Sequence, residues 1–155
     1  MSANPGLTVP ASPAPSVWAQ RMGYGGLVPF VALALAIWLA APASRAFSSQ
    51  ALLGYAVTIA SFLGAIHWGL VMRDASRQSL ALLGWGVLPS LLAWVALLAG
   101  PSWGLWLMAA LLWLCFAVDR RVYPGLQLQG WLPMRLRLTL VASASCAAGG
   151  LGLLR

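Results

Sequence analysis

Lysine and glutamate are absent from this 155-residue chain, aspartate occurs only as Asp74 and Asp119, and His67 is the single histidine. Charged residues make up 7%, against 61% hydrophobic. A soluble domain carries about a quarter charged residues. A soluble fold of this composition would lack the polar surface to cover itself, so lipid is the expected solvent for most of the chain. The two cysteines, Cys115 and Cys146, form no C-x-x-C pair and have no histidine at ligand spacing. Zinc and thioredoxin-like chemistry are therefore unsupported. A haem held by two internal histidines is excluded by count, and a His67 pairing with Met22 or Met72 has no further support. No Gly-rich phosphate loop or nucleophile elbow occurs. We assign no catalytic residue, metal or cofactor and expect a non-enzymatic protein.

The net charge of +7 comes from nine arginines. They sit in short gaps between apolar runs, where topology signals lie, so nucleic acid is not the expected partner. Residues 1–20 contain Pro5, Pro10, Pro13 and Pro15 among small residues, which predicts a disordered tail. Residues 21–155 divide into five apolar segments, at about 23–41, 51–72, 80–99, 102–118 and 136–154. About 20 apolar residues span a hydrocarbon core of roughly 30 Å. The expected fold is all-α, a multi-pass transmembrane bundle of five spans. Gly100-Pro101 is a strong turn signal and predicts a tight hairpin between the third and fourth spans.

Five spans place Arg21, Arg73, Arg77, Arg120, Arg121, Arg135 and Arg137 on one side and Arg45 and Arg155 on the other, seven against two. The positive-inside rule then puts the N-terminus in the cytoplasm and the C-terminus outside. Tryptophans and tyrosines cluster near the expected span ends, at headgroup level, with Trp113 the clear exception. Trp-Gly occurs at residues 68, 85 and 103, at span ends of differing polarity, which fits interface anchoring.

In the second span Ala56, Ala60 and Gly64 recur every four residues, as do Ser61, Ala65 and Gly69. Small stripes let helices approach closely, so this helix is expected at the bundle centre. Ala144, Ala148 and Gly152 form a similar stripe in the fifth span. The Leu- and Trp-rich fourth span is expected to face lipid, Leu111 included. Pro29 and Pro89 lie well inside expected helices and predict kinks.

His67 lies six residues before Arg73, roughly 9 Å deep by helical rise. An ionisable side chain at that depth is a functional candidate, although a neutral imidazole bonded to a neighbouring helix is the more ordinary explanation. The second and fourth spans run in the same direction, so their C-terminal ends share a leaflet. Asp119 closes the fourth span, and a polar cluster of His67 with Asp119 follows, with Tyr24 as the fallback partner. Otherwise Asp119 is a surface ion pair with Arg120 or Arg121. Both aspartates lie at the membrane edge and the span number is odd, which disfavours cation transport and inverted-repeat transporters. Pro133 fits a helix start.

Ser61–Gly69 (S-F-L-G-A-I-H-W-G), Leu88–Trp94 (L-P-S-L-L-A-W), Asp119, and Leu132–Leu140 (L-P-M-R-L-R-L-T-L) resemble the family of transmembrane protein 69 and its bacterial relatives. The matching positions include Gly64, His67, Trp68, Gly69, Pro89, Trp94, Asp119, Pro133, Arg137 and Thr139. Met134 departs from the aromatic pair that usually follows the loop proline. The resemblance implies a five-span protein of bacterial cytoplasmic or mitochondrial inner membranes and a domain of unknown function. It implies no reaction. The expected role is that of an accessory or assembly protein in the bilayer, with other membrane proteins as partners. The alternative is a small-molecule carrier or lipophilic-cofactor site organised around His67.

Overall fold

The structure, a computed structural model, describes residues 14–73 and 79–155. Among these residues all regular structure is helical: α1 (Val17–Gly25), α2 (Val28–Leu39), α3 (Pro42–Arg73), α4 (Leu80–Leu98), α5 (Gly100–Val122) and α6 (Leu132–Gly152), with two short 3-10 turns before α6. The expected break at 73–79, with Asp74 and Arg77, lies almost wholly outside the described residues, as does most of the expected tail. The part of that tail from Val17 onward is helix, begun by Ser16, whose hydroxyl accepts from the Ala19 N–H. An N-cap serine of this kind stabilises a helix start by about 1 kcal/mol.

Four helical segments are long and apolar enough to cross a membrane: Val17–Leu39, Pro42–Arg73, Leu80–Leu98 and Gly100–Val122. These apolar helices are those of a membrane protein. The segment expected as the fifth span, α6, is not among them. It is long enough, but Arg135 and Arg137 lie in its first turns and serines and glycines dilute the rest.

The first apolar segment is broken between α1 and α2. Gly26 ends α1, its N–H bonded to the Met22 carbonyl, and Pro29 falls in the first turn of α2. The expected mid-helix kink at Pro29 is thus a helix start, where the missing N–H needs no partner. The Gly26 carbonyl left over at the break accepts the Tyr55 hydroxyl at 2.8 Å. The expected break at Pro42–Gln50 is also helical. Pro42 opens α3, residues 43–50 hold no glycine or further proline, and the helix runs on unbroken for 32 residues. At 1.5 Å per residue α3 is about 48 Å long. Gly100, with φ of 73°, turns the chain between α4 and α5, and Pro101 enters the first turn of α5.

The long helix α3 packs against α2, α4, α5 and α6. Its face of Ala56, Ala60, Gly64 and His67 is buried. A Cβ at Gly64 would collide with the Gly86 carbonyl of α4, beside the buried Pro89. The second small stripe does not pack: Ala65 and Gly69 are exposed. Two further expectations are corrected. The fourth span does not simply face lipid, because α5 buries Leu105, Met108, Leu112, Cys115 and Asp119 along one stripe, and Leu111 is 5% exposed. In α6 the packed face is Ala142, Cys146 and Gly149; of the expected stripe Gly152 is buried against Ile37 and Trp38, while Ala144 is exposed. Leucine, alanine and small residues occur on every face of both helices, so composition did not mark which side packs.

Candidate functional site

Three helices bring one charged or ionisable side chain each to a common buried point. Asp119 stands in the last turn of α5 and is 3% exposed. Arg135, in the first turns of α6, donates to Asp119 Oδ2 through Nε at 2.9 Å and Nη2 at 2.5 Å. Both bonds fall on one carboxylate oxygen. The other, Oδ1, faces His67 Nε2 at 3.5 Å. His67 is 1% exposed, and neither ring nitrogen has a hydrogen-bond partner. Arg120 and Arg121 lie beside Asp119 in sequence, yet on a helix adjacent residues point in different directions. The cation that reaches the carboxylate comes from the next helix.

Tyr123 closes the cluster one turn beyond Asp119. It is 3% exposed, and its ring centroid lies 6.4 Å from that of His67. Burial, reinforced by the Asp119 carboxylate and opposed by Arg135, pushes the Tyr123 phenol up to about 12. At neutral pH it is therefore a protonated donor. Tyr24 does not join His67; its hydroxyl accepts from Arg137 Nη1 at 3.3 Å. The residues Arg135 and Tyr123 were not singled out from the sequence. Arg135 counted there only as a topology charge. Its signal was a lone buried-span carboxylate that requires a cation, together with Thr139 one turn farther along α6.

Beside the cluster is a cavity of about 560 Å³, lined by residues of α1, α2, α3, α5 and α6 and of the segment between α5 and α6. A volume of 300–1,000 Å³ is usual for a small-molecule site. Its wall is mostly apolar, with Phe30, Leu63 and Leu112 buried at its base. Met22 and Phe62, 78% and 63% exposed, stand at its rim. The polar side chains on the wall are Tyr123, Arg135 and Thr139, with the indole of Trp131. Thr139 is 2% exposed and its hydroxyl has no hydrogen-bond partner. His67 and Asp119 do not line the cavity; Asp119 holds Arg135 from behind the wall, and His67 lies on its other carboxylate oxygen.

The other residues singled out from the sequence have structural surroundings. Gly64 and Pro89 make the contact of α3 with α4, and the Trp68 indole crosses the same interface to donate to the Leu83 carbonyl at 3.0 Å. Gly69 has open space about it and Trp94 is 56% exposed. Pro133 lies in the first turn of α6. Among the described residues no group of three His, Cys, Asp or Glu side chains is placed to hold a metal ion.

The family model described as "Protein of unknown function (DUF3429)" matches residues 15–151. The chain belongs to this family. That match takes in every helix but the last residue of α6, and with them the His67–Asp119–Arg135 cluster and the cavity. No curated protein and no solved structure matches the chain.

Proposed function

We propose that this DUF3429 protein binds a lipophilic small molecule within the membrane, in the cavity beside the Arg135–Asp119–His67 cluster. The observation that carries this reading is the cavity itself. It combines an apolar body of suitable volume with a few convergent polar side chains at a buried wall, the usual composition of a ligand site. The cluster behind it positions Arg135. Of the two functions expected from the sequence, this is nearer the small-molecule or lipophilic-cofactor site, with Arg135 rather than His67 at the cavity wall. The accessory or assembly role has weaker support, since exposed apolar side chains such as Trp94 are what lipid contact alone requires.

The bilayer arrangement belongs to the same proposal. We take α6 as a fifth span: 21 residues rise about 31 Å, enough for the hydrocarbon core. Its two arginines stand at one end, where Arg135 is paired with Asp119 and Arg137 with the Tyr24 hydroxyl. The seven-to-two arginine count supports a cavity toward the cytoplasmic side, with the C-terminus outside. The likeness to transmembrane protein 69 and its bacterial relatives supports a bacterial cytoplasmic membrane, or a mitochondrial inner membrane as the alternative.

The test is to purify the protein in a mild detergent, extract it with organic solvent and identify what is released by mass spectrometry. An apolar molecule near stoichiometric amount is expected from the wild type. Leu138→Trp, which fills the cavity from its α6 wall, should abolish it. Equal recovery of every extracted molecule from the two proteins would exclude ligand binding in this cavity.

A further inference from the structure

Resting on that reading, we infer that the ligand is a neutral, carbonyl-headed lipophile of the quinone type, accepted by Thr139. The polar groups of the cavity wall have one character in common. Arginine and indole N–H groups only donate, and Tyr123 and Thr139 each carry an O–H. The Thr139 hydroxyl decides the matter, because it is buried and bonds to nothing in the protein. A hydroxyl buried without a partner costs roughly 1–3 kcal/mol. An acceptor oxygen on a ligand removes that cost, and a purely hydrocarbon ligand leaves it standing.

Charge separates the possible acceptors. A carboxylate head, as on a fatty acid, calls for an unpaired cation. The Arg135 guanidinium already faces Asp119, so the two charges cancel at the wall. A neutral carbonyl oxygen takes the donor hydrogen bonds without bringing a second anion close to the Asp119 carboxylate. Shape agrees. Arg135 and Thr139 are one turn apart on the same face of α6, with Cβ atoms at such spacing about 5–6 Å apart. A flat ring with carbonyl oxygens on opposite edges fits along that face. Phe30 and Trp131 also line the cavity, aromatic side chains suited to a ring. The hydrocarbon tail leaves past Met22 and Phe62, the exposed rim residues.

The experiment uses the full chain in phosphatidylcholine nanodiscs carrying rising mole fractions of decylubiquinone, with occupancy counted by native mass spectrometry. Saturable binding of one molecule is expected. Thr139→Val, which keeps the shape and removes the donor, should raise the mole fraction for half-occupancy about five- to tenfold, the effect of one hydrogen bond. Thr139→Ser keeps the hydroxyl and should stay within about twofold of wild type; it also serves if the valine variant fails to fold. Palmitate at equal concentration should not displace the quinone. Displacement by palmitate would overturn the neutral-head assignment, and unchanged binding in Thr139→Val would overturn the role of Thr139. Occupancy by phosphatidylcholine alone, with no quinone bound, would overturn the ligand class. The extraction experiment on Leu138→Trp reports separately on the cavity, so loss of a different molecule there would leave the binding function intact while this inference fell.

Discussion

Replacing Arg135 by methionine should be among the most damaging single changes in this protein, and removing Asp119 as well should restore most of the loss. Arg135 is 8% exposed and Asp119 3%, so water cannot take over the carboxylate when the guanidinium goes. Breaking a buried pair from one side costs about 3–5 kcal/mol, because a desolvated charge is left alone. His67 does not rescue it: at 3.5 Å from Oδ1, it makes no hydrogen bond in the intact site. At roughly 2–4 °C per kcal/mol for a chain of this size, the melting temperature should fall by about 6–20 °C. Asp119→Leu with Arg135→Met deletes both charges and both desolvation penalties. Replacing a whole buried pair by apolar groups is often neutral or stabilising. The double variant should therefore melt within a few degrees of wild type, with a coupling energy of at least about 2 kcal/mol in the double-mutant cycle. The assay is thermal unfolding in detergent, followed by the fraction that remains monodisperse on size exclusion. A single variant that loses less than about 1 kcal/mol, or a double variant as unstable as the single, would refute the claim that this is a desolvated ion pair.

Further predictions concern the neighbouring residues and the topology. His67→Leu should not destabilise the protein, because both ring nitrogens already lack partners and an apolar group of similar size replaces them; a loss as large as that of Arg135→Met would mean that His67 interacts strongly with Asp119. Gly64→Leu should lower folded yield sharply, since a Cβ there meets the Gly86 carbonyl, whereas Leu151→Ala at a half-exposed position should be tolerated. Equal yields of the two variants would show that α3 and α4 do not depend on close approach. A C-terminal reporter active only in the cytoplasm should stay silent; activity would reject either the fifth span or the orientation.

Much of the fold was legible in the sequence, because a bilayer imposes a length and an apolar content that composition alone reveals. The positions of α4 and α5 and the Gly100 turn lay close to the apolar runs and the Gly-Pro signal. Helix ends were less legible. The segments at Pro42–Gln50 and Asp119–Val122 carry polar residues, yet nothing in them breaks a helix, so α3 and α5 run through them.

For the candidate site the division is sharper. The sequence by itself determined that His67 and Asp119 needed explanation, since a chain with so few ionisable groups in its apolar runs leaves them conspicuous. Only tertiary structure decided that Tyr24 pairs with Arg137, that Asp119 pairs with Arg135 and that Thr139 lines a cavity. Nine arginines look alike in sequence, and the two adjacent to Asp119 are the ones that helical geometry turns away. Leu111 and Ala144 show the same limit for packing. Lipid tails and a protein interior are equally apolar, so a residue's chemistry does not reveal which of them it faces. That choice rests on which helices touch, and the contacts of α3, α5 and α6 exist only once the chain has folded.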